Sequence, residues 1–286
     1  MRVLKVVLEG ITTSFRYPHF MMGVQPSFPM PPPATIYGHI CSALGEWIDP
    51  EGLAFAYHFT AQESIVDLEH IHVLSVSTGK LQGSQYPKVL EGNVNPFKRT
   101  VLFQPRLVLY LNKPEWESAF RSPRYPVILG RSQDLATYTS IKVVDLVPSE
   151  QVYFEHTILP YKMATQTAVG IVTLMPRWVD YQHNRQPHFA RYLILQRQIR
   201  NGDLVHFDSE PQSYLTDLTT TQVNEMTLGL VFHTFIGEND ETPGLITLII
   251  FLPRAQIVVE KPWPNTRGMC WKNWRRFVVF VQRLLT

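Results

Sequence analysis

Two cysteines, Cys41 and Cys270, are all that the 286 residues contain. They are too few for a disulfide framework, and no C-x-x-C pair exists to seed a structural zinc site. Apolar runs are short as well. The longest, around Leu248 to Leu252, is far below a membrane span, and the opening MRVLKVVLEG lacks the apolar centre and small-residue cleavage site of a secretory leader. The expectation is a cytoplasmic protein without a membrane partner. Walker and dinucleotide glycine patterns, the G-x-S-x-G elbow and the H-E-x-x-H helix are all missing, which lowers the weight on common cofactor and hydrolase chemistries. No cofactor and no metal is expected.

Net charge is also nearly missing, since 26 Lys and Arg face 24 Asp and Glu, but its distribution is uneven. Residues 80–142 hold ten basic and four acidic residues, whereas residues 18–79 hold six acids and no Lys or Arg. Residues 203–241 hold eight acids and no Lys or Arg, and from Arg254 onward seven basic residues face Glu260 alone. Local potential, not net charge, attracts nucleic acid, so the basic segment is a candidate anion-binding surface. An ordinary solvated surface would show the same counts.

The composition, 45% apolar, is globular and the length suits two domains. Residues 3–9 alternate and are rich in β-branched side chains, a strand that 11–16 prolongs. After the proline-rich stretch 26–33, Thr35 is placed to cap a helix in which Ile36, Tyr37, Ile40, Cys41, Leu44, Trp47 and Ile48 recur at helical spacing. Alternation returns at 70–77, followed by an apolar run at 101–111, a short helix at 115–120 and a strand at 140–147. The order β-α-β-β-α-β predicts an α+β, ferredoxin-like (RRM-like) domain over 1–150, with helices on one face of an antiparallel sheet and the other face left for a ligand. Residues 79–98, between the second and third strands, are too many for a simple turn. Beyond about residue 150, short strands predict a smaller β-rich domain, 151–286. It ends in a basic amphipathic helix over 271–285 that covers a core or docks on a partner.

Several residues could carry chemistry. His70 and His72 share a face of their strand, which is ordinary for strand histidines unless further metal ligands join them. A metal-independent ribonuclease could use His72, Lys98 and Tyr86 as general acid, base and charge stabiliser. The competing reading is a noncatalytic loop that grips phosphate through Lys98 and Arg99. In the run Ile128-Leu129-Gly130-Arg131-Ser132-Gln133-Asp134, glycine lets backbone amides approach a phosphate, Arg131 adds a bidentate donor, and Ser132 and Gln133 add neutral donors. An ordinary turn fits the same residues.

Three stretches taken together are more specific. Thr13-Ser14-Phe15-Arg16, the run Pro31-Pro32-Pro33-Ala34-Thr35-Ile36-Tyr37-Gly38 through Ala43-Leu44-Gly45, and Leu129-Gly130-Arg131-Ser132 resemble Cas family five. That family is the RAMP subunit of type I CRISPR Cascade complexes, and the likeness covers roughly the first 150 residues in order. The resemblance implies a ferredoxin-like domain that grips the 5′ handle of the crRNA and a β-hairpin thumb, here 79–99, reaching toward the first guide-target pairs. It implies as partners the backbone subunit, the large subunit that reads the protospacer-adjacent motif, and target DNA. Carried over, Ser14, Phe15 and Arg16 would lie near the handle and Gly130 to Ser132 would form its backbone-contacting turn. Gln133 joins that turn, and Lys80, Lys88, Lys98 and Arg99 would line the thumb. One branch of the family cleaves the repeat with a Tyr-Lys-His set. The expectation here is a noncatalytic RNA-binding subunit, with repeat cleavage as the runner-up and an RNA-free protein scaffold as the third reading.

Overall fold

The structure is a computed structural model, and it describes residues 1–18, 23–77, 79–88, 90–167, 169–200, 202, 213–220, 222–237, 250–252 and 255–257. Residues 1–239 form one compact unit and 240–286 another. In the second, Ile250–Leu252 pairs antiparallel with Ala255–Ile257. The basic helix expected over 271–285 lies outside the described residues.

The first unit is sheet-rich with few helices, an α+β chain. In chain order it carries β1 (Arg2–Gly10), α1 (Pro33–Leu44), β2 (Ala54–Thr60), the long strands β3 (Glu63–Val76) and β4 (Leu90–Phe103), β5 (Arg106–Leu111), α2 (Glu117–Arg121) and β6 (Ala136–Asp145), and its central sheet is built on β1, β2, β5 and β6. Strands lie in the order β6-β1-β5-β2, all antiparallel, and His233–Thr234 closes the edge beside β2. The second strand of this sheet is therefore β2, not the 70–77 segment read from alternation. In β2 the residues Phe55, Tyr57 and Phe59 point one way and Ala56 and His58 the other, as a pleat requires.

Both faces of the sheet are covered, which corrects the expectation of a face left open for a ligand. On one, Leu4, Val6, Leu8, Leu107 and Leu109 pack under Ile36 and Ile40 of α1 and Phe120 of α2. On the other, Val3, Val7, Val108 and Tyr110 are buried with Leu146 and Leu230. That cover comes from a second sheet of short strands, Val147–Ser149, Tyr214–Thr216, Thr227–Leu230, Val152–Phe154 and Ile199–Arg200 in that order. A three-stranded sheet of Thr157–Pro160, Gln186–Leu195 and Ile171–Asp180 completes the unit.

Helix α1 starts at Pro33, two residues before the expected cap at Thr35, because proline suits a first helical position whose N–H needs no partner. It stops at Leu44, before Trp47 and Ile48, since Gly45 adopts φ 88° and donates its N–H to the Cys41 carbonyl at 2.8 Å. A Cβ at Gly45 would sit 2.4 Å from Cγ of Arg124.

β3 and β4 pair over fourteen residues each, from Glu63 opposite Phe103 to Val76 opposite Leu90. At about 3.3 Å per residue such an arm reaches roughly 45 Å. The loop read at 79–99 is thus the tip and returning strand of a larger hairpin. Along β3, Val66, Leu68, Ile71, Leu74 and Val76 are exposed, on both faces of the arm. Its base is held through the edge of β4 that faces away from β3, which pairs Thr12–Thr13 at Phe103 and Leu102 and then Val24–Gln25 at Lys98 and Arg99.

Candidate nucleic-acid interface

The arm's base meets the turn that follows α2, and this junction gathers most of the residues singled out in the sequence. Gly130 has φ 93°, and a Cβ there would lie 2.5 Å from Oγ1 of Thr13 and 2.8 Å from the Ser14 carbonyl oxygen. Only glycine lets the turn pack this closely on the Thr13-Ser14 backbone. The Thr13 hydroxyl donates to the Leu129 carbonyl at 2.5 Å, and the Ser14 hydroxyl donates to the Thr100 carbonyl of β4 at 2.8 Å.

Underneath, His39 of α1 supports the turn. Its Nδ1 lies 3.1 Å from the Ile128 carbonyl oxygen and its Nε2 lies 3.0 Å from the Tyr138 hydroxyl. A carbonyl only accepts, so Nδ1 carries the proton and Nε2 accepts from Tyr138. Burial holds the imidazole neutral and pushes its pKa down to about 4.

Above it is an ionic cluster. Asp134, with a side chain 0% exposed, accepts from Arg131 Nε at 2.9 Å, Arg131 Nη2 at 2.8 Å, the Arg131 backbone N–H at 3.0 Å and the Thr12 hydroxyl at 3.0 Å. These bonds, ahead of the nearby Glu69 and Asp67 charges, raise the guanidinium pKa above its ordinary value. Glu69 of β3 pairs with Nε of Arg99, lies 3.6 Å from Nη1 of Arg131 and accepts from the Gln133 amide at 3.3 Å. Arg99 also lies over the Phe97 ring at 5.2 Å.

Ser14, Arg99, Gly130, Arg131, Ser132 and Gln133 thus share one junction, with Ser132 and Gln133 exposed. Arg16 is exposed on the strand that follows Ser14, opposite Ser27. Phe15 is in the core, edge-on to Phe59. Lys80 and Lys88 lie at the far end of the arm, where Lys80 bridges Pro87. Lys98 and Arg99 do not form one grip, because neighbours on a strand point to opposite faces. Arg99 stands opposite Asp67, while Lys98 stands opposite Leu68.

The His72, Lys98 and Tyr86 trio is likewise not assembled. His72 pairs across from Val94 and Lys98 from Leu68, four residues apart along β3, about 13 Å of strand. Tyr86 lies beyond the last paired residues, past Val76.

The basic excess of residues 80–142 is also reduced. Arg99, Arg106, Lys113, Arg121 and Arg131 each have a carboxylate partner, and two of those partners, Glu69 and Glu9, come from outside the segment. Sequence reading missed Glu69, which only the arm's register brings to the cluster, and left Asp134 without a role. The spacing of Arg131 and Asp134 across a glycine turn was the available signal for the second.

No protein-family model matches the chain, and no curated protein matches its sequence. Among solved structures, it is similar to a chain of a CRISPR RNA-guided surveillance complex at 14% identity and TM-score 0.46, covering 73% of this chain and 95% of that one. It is similar to a chain of the Type III-B Cmr-beta complex bound to cognate target RNA and AMPPnP at 13% identity and TM-score 0.43, covering 71% and 86%. A CRISPR protein from Archaeoglobus fulgidus matches at 11% identity and TM-score 0.39, covering 81% and 100%. All three scores lie below 0.5, so the likeness by itself assigns no function. No helix among the described residues is long and apolar enough to cross a membrane.

Proposed function

We propose that this chain is a noncatalytic, cytoplasmic RNA-binding subunit of a type I CRISPR Cascade complex, of the Cas family five kind, that holds the 5′ handle of the crRNA. One observation carries the reading. Two of the three stretches that resemble the family, Thr13-Ser14 and Leu129-Gly130, lie far apart in sequence and are in direct contact, and the third forms the helix whose His39 supports that contact. The β-α-β-β-α-β order with sheet order β6-β1-β5-β2 supports a ferredoxin-like assignment for the central sheet. Handle RNA would run across the exposed Ser132-Gln133 turn and Arg16, since backbone amides and neutral donors suit phosphates.

The arm would act as the thumb. Its apolar residues, exposed on both faces, suit contact with the backbone subunit and the guide-target duplex, and the large subunit would sit beside it. Co-expression with a CRISPR array and the other Cascade subunits, followed by purification through a tag on this chain, tests the reading. RNA that shares one repeat-derived 5′ end and co-purifies with the backbone subunit is the expected result. Protein partners without RNA would favour a scaffold, and repeat cleavage by this chain alone would favour the nuclease.

A further inference from the structure

We propose that the Glu69 carboxylate occupies a phosphodiester site, filling it from within the chain until RNA displaces it. This rests on the RNA-binding reading above for the source of the phosphate, but the site itself is defined by geometry. Three donors from two separate segments converge on the two oxygens of Glu69. Arg99 Nε of the arm pairs with Oε2, while Arg131 Nη1 and Gln133 Nε2 of the turn approach Oε1 at 3.6 and 3.3 Å. A planar guanidinium on one side and a second guanidinium edge with an amide on the other form a cradle for any two-oxygen anion.

The two carboxylates of the cluster are not equivalent. Asp134 is fully buried and accepts four hydrogen bonds at 2.8 to 3.0 Å, so it fixes Arg131 and leaves the Nη1 edge turned toward Glu69. Glu69 is 23% exposed, is held tightly by Arg99 alone and by longer contacts to Arg131 and Gln133, and stands on an arm whose residues 71–76 and 92–96 are exposed. Of the two, Glu69 is the less buried and the less constrained, and so the one an incoming anion can displace. Asp67, directly opposite Arg99 in the arm, adds a third acid near two arginines. With Glu69 in place an incoming phosphate meets a site with a negative excess. When Glu69 departs and one phosphodiester enters, the site's charge is unchanged, so the exchange is between like charges and its balance is set by geometry and solvation.

Two consequences follow from the competition. Glu69 lowers RNA affinity at this site, and RNA binding frees the arm's base from the turn. Removing the competing charge with Glu69→Gln keeps a carbonyl acceptor for Arg99 and should tighten binding by on the order of three- to ten-fold, the range of one partly exposed ion pair. The salt slope should steepen by up to about 0.7, the value for one further single-strand phosphate contact.

The test uses the full chain and two probes, inorganic phosphate at constant ionic strength and a labelled single-stranded repeat RNA. Phosphate should raise the melting temperature of Glu69→Gln more than that of the wild type, and the variant should bind the RNA more tightly and with a steeper slope. Glu69→Asp, too short to span both arginines, should give the same direction and serves if Glu69→Gln folds poorly. Equal phosphate responses in wild type and both variants would overturn the site whatever the RNA does. A larger phosphate response without RNA binding by any of the proteins would keep the oxyanion site and overturn the RNA reading.

Discussion

The Thr13 hydroxyl donates to the Leu129 carbonyl oxygen at 2.5 Å across 116 residues of chain, and the next residue, Gly130, closes over it with a positive φ. That contact, beside the one from Thr12 to Asp134, joins the strand Thr12–Thr13 to the turn after α2, and it admits no side chain. Gly130→Ala combines a left-handed backbone with a Cβ only 2.5 Å from Oγ1 of Thr13, so we expect a loss of about 1–3 kcal/mol. A thermal melt reads it. Unchanged stability would show that the turn relaxes away from Thr13 without cost.

Asp217 joins the central sheet to the second sheet. It accepts from Lys5 at 2.5 Å, Tyr110 at 3.0 Å and the Thr219 hydroxyl at 2.6 Å, and is 1% exposed. Burial opposes its charge, but these bonds, Lys5 first, hold its pKa below the ordinary carboxylate value. Asp217→Asn leaves the Lys5 ammonium without a counter-charge and should cost about 3–5 kcal/mol, as broken buried pairs do. Adding Lys5→Met should recover much of that loss. Recovery in the double variant is the decisive reading, since a general packing defect would not be repaired.

Acid should weaken the fold above the range in which carboxylates titrate. His39 and His233 are buried, His233 against the Ile158 carbonyl, and burial pushes both pKa values down to about 4. Unfolded, each takes a proton near pH 6.5, so unfolding binds protons between about pH 6.5 and 4. Stability is full above 6.5 and falls as pH drops toward 4, by about 3 kcal/mol for each histidine. Melting temperatures measured across pH 7 to 4.5 should decline, and His39→Gln should flatten the slope. A level profile would contradict the buried neutral assignment.

The arm can be shortened without loss of the fold. His70 pairs across from Pro96, so replacing residues 71–95 with Asn-Gly closes the hairpin above Glu69 and Arg99. The removed part contributes little to the core, and the melting temperature should move by no more than a few degrees. Assembly with the backbone subunit should fail. Normal assembly by the shortened chain would remove the thumb role.

The central sheet was only partly legible in the sequence. Strand β1, residues 3–9, and helix α1 were plain because β1 is a β-branched run buried on both faces and the apolar residues of α1 recur at helical spacing. Strand β2 was missed and β3 put in its place, because an arm exposed on both faces with apolar residues alternates as persuasively as a core strand. The covering of the second face was invisible, since it depends on Leu230 and Leu146 meeting Val7 and Tyr110 across long separations. In the site, Gly130 and Arg131 were marked by residue type. Asp134, three residues on from Arg131, was open to a local reading, whereas Glu69 is placed by the register of β3 against β4 and Thr13 by that of Thr12–Thr13 against β4, which no local pattern encodes.

Photo-crosslinking of the assembled chain to crRNA carrying 4-thiouridine in the 5′ handle tests the central claim most directly, because it reads position and binding together. We predict cross-linked peptides that contain Ser14 to Arg16 and Gly130 to Gln133, with competition by unlabelled handle RNA. Cross-links confined to other parts of the chain, or none with a complex that retains its crRNA, would contradict handle binding at this junction.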